Sequence, residues 1–289
     1  MNIRSLLDIA DLNSDQLFKI ITSNADTKKK LKGKTIGCIY EKPSTRTRIS
    51  FHVGITQLGG TSLEIKFDEL NLSRQESFED TFRALGCYLD GIVYRTTNHD
   101  NLTAAQKYSS LPIINALSDK SHPCQIISDL YTLNEKFNTL NLNILWVGDV
   151  NNVCFSLVEA ANLIKNINLI ICSPRELTDK ISWRTNSNVY ISYDFSKIDL
   201  SKINCVMTDV FISMNDQNDL SKIELLKNYC VTSDLMSRTK SDSVFMHCLP
   251  AKVGFEVSEE VFRSDKSIVW RQAYNRMVAQ KKILQYIYQ

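Results

Sequence analysis

Short apolar runs of strand character alternate with helical stretches along nearly the whole sequence, and this alternation limits the possible folds more than any single motif does. Strands are expected at Thr35–Tyr40, Thr61–Lys66, Gly91–Arg95 and 111–115, and helices at 13–23, 76–89 and from Pro123 onward. A strand that returns through a helical crossover lies parallel to its predecessor, because only a tight hairpin reverses the chain within a few residues. The pattern therefore predicts mostly parallel sheets covered by helices. It restarts at Asn141 with Leu142-Asn143-Ile144-Leu145-Trp146-Val147-Gly148-Asp149 and continues through strands at 168–172, Val189–Ser192, a run ending before Asp209, and 244–246. A chain of 289 residues with 43% hydrophobic side chains can build two cores of ordinary size. The expected class is α/β, with two domains, each a mostly parallel sheet flanked by helices.

Chemistry concentrates at the first strand-to-helix turn, Glu41-Lys42-Pro43-Ser44-Thr45-Arg46-Thr47-Arg48. Pro43 disfavours helix before it, Ser44 is a good N-cap and Gly59-Gly60 is a stop signal, so a helix should run from near Ser44. Ile49, Val53 and Leu58 would share its core face. The free N–H groups and positive dipole end of such a helix attract an anion. Here they arrive with the hydroxyls of Ser44, Thr45 and Thr47 and the guanidiniums of Arg46 and Arg48, which is the donor set of a phosphate cradle.

Charge and cysteine usage exclude several classes of function. A formal charge of +2 gives no broad basic field, so neither nucleic acid nor an anionic membrane is an expected partner. No apolar run approaches the ~18–20 residues of a membrane span, and Met1-Asn2-Ile3-Arg4-Ser5-Leu6-Leu7 lacks a signal peptide's apolar core, so a cytoplasmic protein is expected. The eight cysteines are scattered singly without a Cys-x-x-Cys pair, which argues against a zinc site and against structural disulfides. The turn at Gly148 carries one glycine where a dinucleotide fingerprint needs three, so a nucleotide-binding oxidoreductase is not expected either.

Further polar residues fall at strand and helix ends, where open α/β sheets place ligand groups. Arg95 ends a strand. His122-Pro123-Cys124-Gln125 opens a helix, where a neutral imidazole can donate to a carbonyl oxygen and Gln125 can offer its amide one turn later. Asp209 follows a strand, and its carboxylate suits an ammonium group; a cysteine such as Cys248 is ordinarily an inert buried residue.

Taken together, these motifs resemble the carbamoyltransferase family, the ornithine and aspartate carbamoyltransferases, over almost the whole chain. Ser44-Thr45-Arg46-Thr47-Arg48 matches the family's carbamoyl phosphate loop and His122-Pro123-Cys124-Gln125 one of its marked tetrads; Gly148-Asp149-x-Asn151-Asn152 matches the entry turn of its second domain. Asp209 with Ser213-Met214, and His247-Cys248-Leu249-Pro250, match the ornithine-type branch, where aspartate-type relatives have Pro-Leu-Pro in place of Cys-Leu-Pro. The resemblance implies a carbamoyl phosphate-binding domain at 1–135, joined by a returning C-terminal helix at about 271–289, and an ornithine-binding domain at 136–270. Carbamoyl phosphate would be held by Ser44, Thr45, Arg46, Thr47, Arg95, His122, Gln125, Cys248, Leu249 and Arg276. Asn71 stands where the branch commonly has glutamine and is the weakest member of this set. Ornithine would be held by Asn152, Asp209, Ser213 and Met214, with Arg46, His122 and Cys248 as the catalytic residues.

The implied reaction is direct carbamoyl transfer to the δ-amine of L-ornithine, yielding L-citrulline and phosphate, with no metal and no cofactor. Charge developing on the carbonyl oxygen would meet Arg46, Thr47 and His122, and Cys248 would orient the amine as thiol or thiolate. Relatives form trimers with active sites at subunit interfaces, so a homotrimer or multiple of trimers is expected. Asn215 replaces the branch's usual glycine after Ser-Met, which leaves N-acetylornithine, putrescine or aspartate open as acceptors. A catalytically silent family member is a further alternative, though this chain keeps nearly all the ligands. Arginine synthesis and arginine breakdown would use the same residues.

Overall fold

A computed structural model describes residues 5–23, 30–74, 76–179, 186–212 and 220–289, without the side chains of Ser73 and Arg74. The chain divides into two compact units, Met1–Tyr131 with Tyr274–Gln289, and Thr132–Ala273. Among the described residues, each unit contains one sheet, and every strand pairing within the sheets is parallel. The expected fold class is the observed one.

The first unit opens with α1 (Ser14–Thr22), whose N-cap Asn13 and Gln16 bond each other reciprocally while Leu17, Ile20 and Ile21 are buried. There follow β1 (Thr35–Tyr40), α2 (Thr45–Gln57), β2 (Thr61–Lys66), α3 (Phe78–Leu85), β3 (Gly91–Arg95), α4 (His99–Tyr108), β4 (Ile113–Leu117) and α5 (Pro123–Phe137). The sheet order is β2-β1-β3-β4. β1, β2 and β3 have the expected bounds. β4 begins two residues later than expected, at Ile113, because the Pro112 carbonyl accepts only the Ile92 N–H and Leu6 pairs along the outer edge from Ile113 onward. α3 is shorter than the expected 76–89, since Ser77 caps it by accepting the Asp80 N–H. α4 buries only His99, Leu102 and Ala105, too weak an apolar stripe to read from sequence.

α2 starts where expected, with Ser44 at the N-cap position, but it presents a different face to the core. Its buried residues are Thr47, Phe51, Gly54 and Ile55, whereas Ile49 and Val53 are 56% and 39% exposed. Leu58 alone of the expected trio is buried. The reason lies in a distant helix, α11 (Val269–Ile287), whose Lys281 and Met277 pack closely over Gly54. From Tyr274 onward α11 belongs to this unit, and the Lys282 ammonium donates to the Ile21 carbonyl.

The second unit contains β5 (Leu142–Val147), α6 (Asn152–Leu163), β6 (Ile167–Cys172), α7 (Arg175–Thr178), β7 (Val189–Ser192), β8 (Cys205–Thr208), α8 (Leu220–Leu226), α9 (Ser233–Ser237), β9 (Val244–His247) and α10 (Glu259–Arg263). Its sheet order is β7-β6-β5-β8-β9, over a core that includes Leu145, Val147, Val206, Val231 and Phe245. Gly148 leaves β5 with φ +102, and a Cβ there would lie 2.2 Å from the Phe211 ring. No described helix is long and apolar enough to cross a membrane.

In both sheets the strand order reverses direction once, between β1 and β3 in the first and between β5 and β8 in the second. Loops leaving the carboxyl ends of such a pair diverge to opposite sides and open a crevice. Of the expected ligand residues, Ser44, Thr45, Arg46, Thr47, Arg95, Asn152 and Asp209 lie at or beyond the carboxyl ends of these four strands, whereas His122 and Gln125 follow β4 and Cys248 and Leu249 follow β9.

Candidate active site

The first cluster belongs to the first unit. Thr47, in the opening turn of α2, is buried, and its hydroxyl accepts from the Arg276 guanidinium at 2.6 Å. The same guanidinium donates to Gln125 Oε1 at 2.7 Å and lies 2.9 Å from His122 Nε2. Because guanidinium can only donate, His122 Nε2 is the acceptor, and the neutral ring carries its proton on Nδ1. Burial and the nearby charges of Arg276 and Arg95 hold the imidazole pKa well below its usual value, so His122 is neutral through the physiological range. Arg95 ends β3 half-buried, and Arg46 is half-buried in the first turn of α2.

Three expectations for this cluster are revised. Ser44 makes no side-chain capping bond. Arg48 pairs with Glu64 at 2.7 Å beside His52, so its guanidinium is engaged by a carboxylate of β2. The Gln125 amide donates to Asp129 at 2.8 Å, and it is the carbonyl of Gln125 that faces the cluster. Asn71 is exposed in a short turn, where its backbone carbonyl accepts from Glu76.

The second cluster belongs to the second unit. After β5, Asn151 caps α6 by accepting from the N–H groups of Val153 and Cys154, while its Nδ2 donates to Asp209 Oδ2 at 2.8 Å. The other Asp209 oxygen accepts from the Cys248 thiol at 2.8 Å. One carboxylate thus joins the turn after β5 to the turn after β9. Asp149 pairs with Lys222 at 2.9 Å, both nearly buried, which fixes the start of α8 against the same turn. Asn152 is the first residue of α6 and half-buried.

Past β9, the His247 N–H donates to Gln272 Oε1 and the Leu249 N–H donates to His247 Nδ1, so the imidazole keeps its proton on Nε2. Glu256 Oε2 lies 3.9 Å from that Nε2. The Glu256 carboxylate accepts from the backbone of Phe211 and Lys252 and so ties the turn after β8 to the turn after β9. Burial pushes its carboxyl up to about 7. Leu249 has φ +61, a left-handed conformation that a side-chain-bearing residue adopts at a cost of ~1–2 kcal/mol.

Ser213, Met214 and Asn215 lie outside the described residues. Asp209, His247 and Cys248 also offer donor atoms within 4.8 Å of one another, a set that could hold a metal ion. A closed tetrahedral site takes four ligands, one more than this trio supplies. Sequence reasoning chose Asn152 and passed over Asn151, although an asparagine directly before a helix is an N-cap signal. For Glu256 the sequence holds no signal. Chemically, the first cluster offers guanidinium and hydroxyl donors around a helix N-terminus, suited to a phosphate dianion, and the second offers a carboxylate, a thiol and amides, suited to an amino-acid ammonium.

Two family models match the chain in succession, dividing it near the same point but counting the C-terminal helix with the second domain. Residues 4–135 match the family model described as aspartate/ornithine carbamoyltransferase, carbamoyl-P binding domain, and residues 140–287 match the Asp/Orn binding domain. The chain is 39% identical to an ornithine carbamoyltransferase of Methanosphaera stadtmanae, covering 99% of each, and 38% identical to one of Rhizobium johnstonii, covering 98% of the chain and 93% of the relative. Among solved structures it is similar to the ornithine carbamoyltransferase of Pyrococcus furiosus, with TM-score 0.88, 34% identity and coverage of 97% and 96%. It is also similar to the anabolic enzyme of Campylobacter jejuni, with TM-score 0.88, 30% identity and 99% coverage of both chains.

Proposed function

This chain belongs to the aspartate/ornithine carbamoyltransferase family, and from that premise we propose how its two clusters divide the reaction. The protein is an ornithine carbamoyltransferase: it transfers the carbamoyl group of carbamoyl phosphate to the δ-amine of L-ornithine, giving L-citrulline and phosphate. The observation that carries the reading is the Asp209 carboxylate, held between Asn151 and the Cys248 thiol, a negative group suited to the α-ammonium of an amino-acid acceptor.

Residues 1–135 with 271–289 bind carbamoyl phosphate, and residues 136–270 bind ornithine. The phosphate rests on the α2 N-terminus with Ser44, Thr45, Arg46 and Thr47, with Arg95 and Arg276 compensating its charge; Leu249 and Cys248 are further ligands of carbamoyl phosphate. His122, neutral, gives a hydrogen bond without adding charge, and Gln125 accepts from the carbamoyl amide; Asn71 is a minor contributor. Asn152, Asp209, Ser213 and Met214 hold the α-amino acid end of ornithine. The neutral δ-amine attacks the carbonyl carbon, a C–N bond forms, the C–O bond to phosphate breaks, and phosphate leaves as the amine gives up a proton. Arg46, Thr47 and His122 stabilise the oxyanion, and proximity supplies much of the remaining rate. Cys248 orients the amine through its contact with Asp209.

The protein acts in the cytoplasm in arginine metabolism, as a homotrimer or a multiple of trimers. Exposed apolar residues on α2 and edge strand β2, Ile49, Val53 and Leu63, support self-association. An acceptor panel tests the function: purified protein with carbamoyl phosphate and ornithine, N-acetylornithine, putrescine or aspartate, following phosphate and ureido product. Rapid turnover with ornithine alone is expected. Preference for another acceptor would remove the assigned roles of Asp209, Ser213 and Met214.

A further inference from the structure

We propose that Glu41 is a positioning residue for the carbamoyl phosphate cradle, its carboxylate locking the end of β1 to the turn that carries Arg95; this rests on the reading of that cradle given above. Glu41 is the first residue beyond β1, and its N–H donates to the Arg95 carbonyl at 3.0 Å. Its side chain continues the same join. Oε1 accepts from the Tyr94 hydroxyl at 2.5 Å and from Asn101 Nδ2 at 3.2 Å. Oε2 accepts from the Thr97 N–H at 2.8 Å and the Thr97 hydroxyl at 3.0 Å. The donors come from the residue before Arg95, the second residue after it, and the helix that follows.

Two features argue that this arrangement serves the cradle. An ionised carboxylate has about four acceptor positions, and these four donors occupy them, so Glu41 has no capacity left to act as a ligand itself. Its charge also opposes a phosphate dianion bound at the next turn of chain, a cost that a neutral group would avoid. Only a carboxylate, however, accepts all four donors; an amide must turn its N–H groups toward two of them. Burial raises the Glu41 pKa, but bonds from Tyr94 and Thr97 outweigh it and leave the group below its usual value.

The rigidity behind the lock comes from the core. Tyr94 is fully buried and packs against Phe82 at 5.8 Å between ring centroids, so its hydroxyl is a fixed point. Glu41 carries that fixed point to the chain segment leading into Ser44. Arg95 and the first turn of α2 thereby hold a common register at the crevice between β1 and β3, as ligand groups that must act together require.

The test compares E41Q, E41A and Y94F with L102A, which removes a buried side chain from α4 under the same turn but touches none of the four bonds. We expect the KM for carbamoyl phosphate to rise about tenfold in E41Q and about a hundredfold in E41A, with Y94F below E41Q and the ornithine KM within about threefold of wild type. Product inhibition by phosphate should weaken in the same order, while L102A lowers the melting temperature and leaves the carbamoyl phosphate KM unchanged. An unchanged KM in E41Q, or an equal rise in L102A at matched thermal stability, would overturn the positioning role. Should the wild-type protein not turn over ornithine, the reading of the reaction fails instead. Calorimetric binding of inorganic phosphate to wild type and E41Q still decides for Glu41: weaker binding by E41Q supports the role, and equal binding refutes it.

Discussion

Arg276 ties three elements of the first unit together, and its replacement by methionine gives the sharpest test of the site. The guanidinium donates to Thr47, Gln125 and His122 at 2.6, 2.7 and 2.9 Å, and it is buried. On carbamoyl phosphate binding, a fork of two such donors would face the dianion. Each charge-assisted bond contributes about 1.5–3 kcal/mol, part of which is already realised with the neutral partners, so the net loss in Arg276→Met is about 3 kcal/mol. At ~1.4 kcal/mol per decade this lowers kcat/KM for carbamoyl phosphate about a hundredfold. Arg276→Lys keeps the charge without the fork and should lose about tenfold. Removing the guanidinium also relieves His122 of a neighbouring positive charge. Its pKa then rises toward the usual value, though burial keeps it lower, and the acid limb of the kcat/KM profile moves to higher pH. Initial rates of citrulline formation between pH 5 and 9, with thermal unfolding of each variant, measure both effects. A kcat/KM within threefold of wild type, or an acid limb that stays in place, would refute the reasoning.

Three further outcomes follow from particular contacts. Glu256 is raised in the folded state from 4.5 to about 7, so its contribution to stability is fully present below pH 4.5 and is lost as pH rises through 7. It amounts to about 3 kcal/mol at most, and denaturant unfolding of Glu256→Gln should lack that decline relative to wild type between pH 5 and 8. Gly148→Ala places a Cβ against the Phe211 ring at a positive φ, a combined cost of about 3 kcal/mol that should lower the melting temperature by about 10 °C. The double variant Ile49→Asp, Val53→Asp alters exposed positions and should fold normally but sediment as a smaller species than wild type; unchanged sedimentation would remove α2 from the assembly surface.

Much of the fold, and the helix start on which the proposed phosphate cradle is built, were legible in the sequence. β1, β2 and β3 are apolar runs bounded by turn residues, and the start of α2 follows from Pro43 and Ser44. Strand alternation, capping and crossover are local consequences of a few neighbouring residues, so a single sequence suffices to state them. Side-chain partnerships were not legible. Arg276 meets Thr47 across 229 positions of sequence, Asn151 meets Asp209 across 58, and Cys248 meets Asp209 across 39. Nothing in Arg48 says that Glu64 will pair with it, and nothing in Ile49 and Val53 says that Gly54 will turn α2 toward Met277 and Lys281 instead. Periodicity states that a helix has an apolar face, but which face is buried depends on the shape of what packs against it. By itself the sequence determined the two parallel sheets and the turns that end their strands; tertiary structure decided which charges pair, which ring nitrogen carries a proton and which helix face meets solvent. Those properties depend on distances between groups that only the folded chain brings together.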